Sequence, residues 1–185
     1  MTRYVAFLRA INVAGHATVK MSALRDAFAA AGFRNVSTYI QSGNILFESG
    51  ARDRGALLRR IAAALRPLID EKPDIILRTV EELEELVDRE PFEHVDRETA
   101  GGLYVVFLAG RPRTGSVLPA VSRKEGLELI AVTEGEVLVV SRRKPNGSFG
   151  FPNAFVEKEL GVVATSRNWS TVTTIVALAR RAADA

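Results

Sequence analysis

The chain has 185 residues, 47% of them hydrophobic, and a net charge of only +3 from 25 Lys plus Arg against 22 Asp plus Glu. That is enough apolar material for one large domain or two small ones and too much for a disordered chain, and so small a basic excess does not by itself imply a nucleic-acid partner. The absence of cysteine excludes disulfides, thiolate nucleophiles and thiolate metal sites, and two histidines, His16 and His94, exclude a three-histidine zinc centre.

The apolar run 4–10 predicts a first strand, followed by the loop INVAGHA at 11–17. Met21, Leu24, Phe28 and Ala31 recur at helical spacing, and Gly32 closes that helix at a C′ position. Residues 36–41 predict a second strand, Ser42-Gly43 a tight turn, and 44–49 a third strand. Leu57, Leu58, Ile61 and Leu65 line a second helix that Pro67 ends, and 75–78 predict a fourth strand. Strand, helix, strand, strand, helix, strand is the split βαβ pattern, so the first 78 residues are expected to form a ferredoxin-like (βαββαβ) unit.

Residues 79–185 are expected to form a smaller α+β unit, able to pack as one domain with the first. Thr79 with Glu82 makes a capping box ahead of Leu83, Leu86 and Val87. Residues 89–102 read as a loop, 103–109 as a buried strand, and 111–126 as connecting material with one helical turn. The runs 127–132 and 137–142 flank a hairpin turn, and 143–153 form a Gly- and Pro-rich loop. Phe155, Val156 and Leu160 predict a short helix before Gly161, and Asn168 or Ser170 a cap for a last helix carrying Val172, Ile175, Val176 and Leu178. No tandem repeat at a fixed period is visible.

In a split βαβ unit, strands one and two run parallel, so the loops after them share one edge of the sheet. Arg9, Asn12, His16, Gln41, Ser42 and Asn44 are therefore expected at a common polar rim. Taken alone, INVAGH is more plainly an ordinary strand-to-helix connection, since neither nucleotide-binding glycine fingerprint is present. Arg167, ahead of the last helix, is a candidate clamp for carboxylate or phosphate, whereas Trp169 reads as a core anchor. The leading expectation is a small polar or anionic ligand held by Arg9, Asn12, Gln41, Ser42, Asn44 and Arg167.

Two alternatives stand beside it. Arg142, Arg143 and Lys144, followed by Phe149 and Phe151, could contact nucleic acid, although such charge runs are more often solvated loops. A hydrolase or transferase at the same rim would need His16 as its base. No metal site is indicated, no cofactor is specified, and no run approaches the length of a membrane span, so a cytoplasmic setting is expected.

LRAINVAG at 8–15, the helix starting near Met21 and Leu24, GF at 32–33, TYIQSGN at 38–44 with Phe47, PF at 91–92 and TSRNWSTV at 165–172 together resemble the bacterial family known as domain of unknown function 1697. The resemblance spans nearly the whole chain. It implies a small, soluble, cytoplasmic α+β protein with a ferredoxin-like first unit, and it implies no activity. Family members usually carry glycine where Ala10 and Ala14 stand here. Two added methyl groups would hinder an anion cradled by backbone, while leaving side-chain contacts from Arg9 and Asn12 untouched.

Overall fold

The computed structural model describes residues 1–12, 19–69, 73–112, 120–144 and 146–183. The chain is α+β and forms two compact units, Met1–Glu84 with Ala179–Ala185, and Glu85–Leu178.

The first unit contains β1 (Thr2–Leu8), α1 (Met21–Ala30), β2 (Arg34–Tyr39), β3 (Asn44–Ser49), α2 (Arg54–Leu65), β4 (Ile75–Thr79) and the start of α3 (Val80–Asp88). Its sheet has the order β2-β3-β1-β4 with every neighbour antiparallel. β3 therefore lies between β1 and β2, which run parallel, as a split βαβ pattern requires. The break expected after residue 78 falls near the junction of β4 and α3, whereas the two units divide inside α3.

Local chemistry explains these elements. Tyr4, Ala6 and Leu8 of β1 face Leu24 and Phe28 of α1 and Leu57, Ile61 and Leu65 of α2. Val5 and Phe7, on the opposite face, are also fully buried, so β1 reads as a continuous apolar run. At the end of α1, the Gly32 N–H donates to the Ala29 carbonyl (2.8 Å) and the Phe33 N–H to the Phe28 carbonyl (3.2 Å). With Gly32 at φ 81° and the Phe28 and Phe33 rings 5.5 Å apart, this is a Schellman motif with its hydrophobic contact. Asp53 caps α2 by accepting from the Gly55 and Ala56 amides. The expected capping box forms at α3: the Thr79 N–H donates to Glu82 Oε2 at 2.8 Å and the Glu82 N–H to Thr79 Oγ1 at 3.1 Å.

The second unit contains β5 (Ala100–Leu108), β6 (Ala120–Ser122), β7 (Leu127–Val132), β8 (Glu136–Arg142), α4 (Asn153–Leu160), β9 (Ala164–Asn168) and most of α5 (Trp169–Ala183). Its sheet has the order β6-β7-β8-β5-β9, again antiparallel throughout. Two strands depart from the sequence expectation. β6 lies in the segment read as a connection, and Ala-Thr-Ser-Arg-Asn forms β9 in a run ahead of the last helix to which no strand was assigned. Neither run alternates apolar and polar residues; the ladder to a neighbouring strand makes each one extended.

The two units are built on one plan. Tyr4-Val5-Ala6-Phe7-Leu8 of β1 corresponds to Tyr104-Val105-Val106-Phe107-Leu108 of β5. Phe7 faces Asn44 on β3 and Phe107 faces Glu136 on β8. Val5 faces Arg78 on β4 and Val105 faces Arg167 on β9. The flanking backbone bonds repeat as well. The Leu8 N–H donates to the Gly43 carbonyl (2.9 Å) and Leu108 to Gly135 (2.8 Å); Arg9 donates to Asp74 (3.0 Å) and Ala109 to Val163 (2.9 Å). The first unit places α1 between its first two strands, and the second places β6 there. The copies differ in the spacing between matching strands, so no fixed period marks them in the sequence.

Candidate functional site

The end of β1 and the β2–β3 hairpin meet at one edge of the first sheet, as the sheet order dictates. Asn12 joins them. Its Nδ2 donates to the Gln41 carbonyl and to the Val19 carbonyl, both at 3.1 Å, and its Oδ1 accepts from the Val19 N–H at 2.7 Å. One side chain thus pins both ends of the loop after β1 and ties that loop to the hairpin. Residues 13–18, including His16, lie outside the described residues, and with them the base that a hydrolase or transferase reading needs.

Asn44 is fully buried, and its amide donates to the Tyr39 carbonyl (3.1 Å) and to Ser42 Oγ (2.9 Å). It closes the hairpin from inside. Gln41 is exposed, and its side chain makes no hydrogen bond to described residues, while half-buried Ser42 sits beside it. Arg9 is anchored by its backbone to Asp74, and its Nη1 lies 3.4 Å from Asp74 Oδ2 at the surface. Asp74 was not among the residues expected at the rim. Only the antiparallel pairing of β4 with β1, which sets Ile75 opposite Leu8, brings it there.

The rim holds backbone strain. Ala10 (φ 56°), Asn12 (φ 55°) and Ile40 (φ 49°) are left-handed, as is Gly43 (φ 73°). Asparagine adopts this region at small cost, alanine at more, and a β-branched isoleucine at most. Ala10 holds a backbone conformation that glycine would adopt without this cost. At Gly43 a β-carbon would come within 2.9 Å of Leu8 Cβ, so the hairpin can approach β1 only without one. The matching hairpin of the second unit, 132–136, contains no residue with positive φ.

Arg167 belongs to the second unit, on β9, and is 7% exposed. Its Nη1 donates to Thr165 Oγ1 (2.9 Å) and to the Ser166 carbonyl (2.8 Å). Burial pushes its pKa down to about 10, which leaves it charged at neutral pH. Trp169 starts α5 and meets the Phe92 ring edge-on at 5.3 Å, but it is half-buried and lines a cavity rather than anchoring the core. The two motifs PF and RNW thereby come together around a cavity of about 320 Å³ that also takes in Glu90 and Arg97. Arg142 is held by Glu128 (3.0 Å) and Thr99 (3.1 Å), whereas Arg143 and Lys144 make no ion pair among the described residues.

The sequence profile of the family described as protein of unknown function (DUF1697) matches residues 1–138. The chain belongs to that family. The profile covers the whole sheet of the first unit, including the rim, and reaches into β8. This DUF1697 protein is also similar to a solved structure, the conserved bacterial protein SP0830 from Streptococcus pneumoniae, with 21% identity, a TM-score of 0.61, and coverage of 95% of this chain and 97% of that one. At that identity the likeness bears on the fold alone. No curated protein matches the chain. Among the described residues, no helix is long and apolar enough to cross a membrane.

Proposed function

We propose that this DUF1697 protein binds a small polar or anionic ligand, a carboxylate or phosphate, at the rim formed by residues 9–12 and 40–44. The observation that carries the reading is the contrast between the two copies of the fold. The residues that recur build the sheet: Tyr4 and Tyr104, Val5 and Val105, Phe7 and Phe107, Arg78 and Arg167. Arg9 does not recur, since Ala109 takes its place, and Asn44 is replaced by Glu136. The left-handed isoleucine in the hairpin has no counterpart either. The topology therefore does not require these features, and strain that a fold does not require is a mark of function.

Each side chain takes a role from its geometry. Arg9 supplies charge, exchanging its exposed and weakly held Asp74 partner for the ligand. Gln41 and Ser42 supply hydrogen bonds. Asn12 and Asn44 hold the two loops in place. Arg167, on β9 of the second unit with its guanidinium on Thr165 and Ser166, takes no part in this reading. A cytoplasmic setting suits a chain without cysteine.

A thermal-shift screen against phosphates, sugar phosphates, carboxylates and nucleotides tests the reading, because a ligand of the native state raises the melting temperature. Hits that vanish in Arg9→Ala, at a half-buried position, and in Gln41→Ala, at an exposed one, are the expected outcome. Hits that survive both substitutions place the ligand elsewhere and end the proposal.

A further inference from the structure

The second unit carries a basic and aromatic surface that the rim does not use. The turn between β6 and β7 and the segment after β8 meet at one end of the sheet. The Arg142 N–H donates to the Gly126 carbonyl at 2.6 Å, and a β-carbon at Gly150 would lie 2.5 Å from the Glu125 carbonyl oxygen. This approach brings the turn that carries Arg123 and Lys124 against the segment that carries Arg143 and Lys144, a meeting that sequence order does not show. Arg142 is committed to Glu128 and Thr99. Arg123, Lys124, Arg143 and Lys144 form no ion pair among the described residues.

On the same segment as Arg143 and Lys144, Phe149 and Phe151 stand in solvent at 39% and 69% exposure. They are held there. Their rings lie 5.9 Å apart, Phe151 meets the ring of buried Tyr104 edge-on at 6.3 Å, and Ser141 Oγ donates to the Gly150 carbonyl between them at 3.0 Å. Exposing two phenylalanines to water is unfavourable unless something covers them. Cations that follow a phosphate backbone and aromatic faces that take successive bases are the two parts of a single-strand binding surface.

We propose that the second unit binds single-stranded nucleic acid here, with Arg123, Lys124, Arg143 and Lys144 on phosphates and Phe149 and Phe151 stacked on bases. A duplex offers its phosphates but keeps its bases inside the stack, and an acidic peptide offers charge without a ring.

Fluorescence anisotropy on the full chain separates these partners, using labelled single strands of about 12 nucleotides, the matching duplex, heparin and polyglutamate, at about 50 and 200 mM salt. The single strand is expected to bind best, with affinity that falls as salt rises. Phe149→Ala/Phe151→Ala should weaken binding about tenfold or more and leave the salt slope unchanged, whereas Arg143→Ala/Lys144→Ala should flatten the slope. Phe151→Trp should retain binding, which guards against a misfolded variant. Arg9→Ala should have no effect, which keeps this surface distinct from the rim. Absence of single-strand binding at low salt overturns the proposal. So does equal or tighter binding of duplex, heparin or polyglutamate, and so does indifference to loss of both rings.

Discussion

Arg78 and Arg167 hold the same place in two copies of one fold. Each faces a valine of the first strand of its unit, Val5 or Val105, and each is 7% exposed. Each donates Nη1 to the carbonyl of the residue before it, Leu77 at 2.7 Å and Ser166 at 2.8 Å. An arginine buried twice in the same way serves the architecture as well as any ligand. Arg78→Ala and Arg167→Ala should each cost roughly 2–4 kcal/mol, because a long buried stem and its hydrogen bonds are lost together. Arg111→Ala, at an exposed position, should cost under about 0.5 kcal/mol. Urea denaturation of the three variants checks this, and a large effect from only one of the buried pair would contradict their equivalence.

Strain at Ile40 predicts a stabilising substitution. The residue is 49% exposed at φ 49°, so little packing is lost when it is replaced. Ile40→Asn should gain about 1 kcal/mol and raise the melting temperature by roughly 2–4 °C. If the rim binds a ligand, the same change should weaken binding while it stabilises the protein. A lower melting temperature would show that the isoleucine side chain is needed for packing.

Gly43 and Gly147 share positive φ but not surroundings. A β-carbon at Gly43 meets Leu8 Cβ at 2.9 Å and Ile11 Cβ at 3.3 Å, while one at Gly147 meets nothing within 4 Å. Gly147→Ala should cost about 1 kcal/mol, the left-handed penalty alone. Gly43→Ala should cost roughly 2–4 kcal/mol, since the hairpin must also move away from β1. Equal losses in chemical denaturation would mean that the hairpin yields freely.

Glu82 gives the stability a dependence on acid. Burial pushes its pKa up, but the Thr79 N–H and then the Arg54 guanidinium outweigh burial and hold the carboxyl below its ordinary value. A folded pKa below the unfolded one means stability that is full above about pH 4.5 and lost as pH falls through the folded value. The melting-temperature gap between the wild type and Glu82→Gln should therefore be open at pH 7 and close as the pH falls to about 3. The gap should be worth no more than about 1 kcal/mol, since the side chain is 42% exposed. A gap that persists in acid would assign the effect to the shape of the cap.

The legible features were those encoded within a few residues. Gly32 after Ala31, Thr79 with Glu82, and the Ser42-Gly43 turn ahead of β3 are local, and each formed where turn and capping chemistry put it. β9 was not legible, because Ala-Thr-Ser-Arg-Asn becomes a strand only when β5 supplies its hydrogen bonds. The duplicated plan is hidden in the sequence for a related reason. It survives as one five-residue likeness, Tyr4–Leu8 against Tyr104–Leu108, and otherwise as register, which exists only between strands.

The rim shows the same division. Sequence alone determined that Arg9, Asn12, Gln41, Ser42 and Asn44 are polar residues at strand ends, and the element order required the two loops to meet. Tertiary structure decided what each side chain does: Asn12 and Asn44 are taken up by carbonyls of neighbouring segments, Asp74 arrives through β4, and the turn carrying Arg123 and Lys124 comes against the segment carrying Arg143 and Lys144. Hydrogen bonds and charge pairing depend on distances of about 3 Å between atoms remote in the chain, and no pattern along the chain specifies those distances.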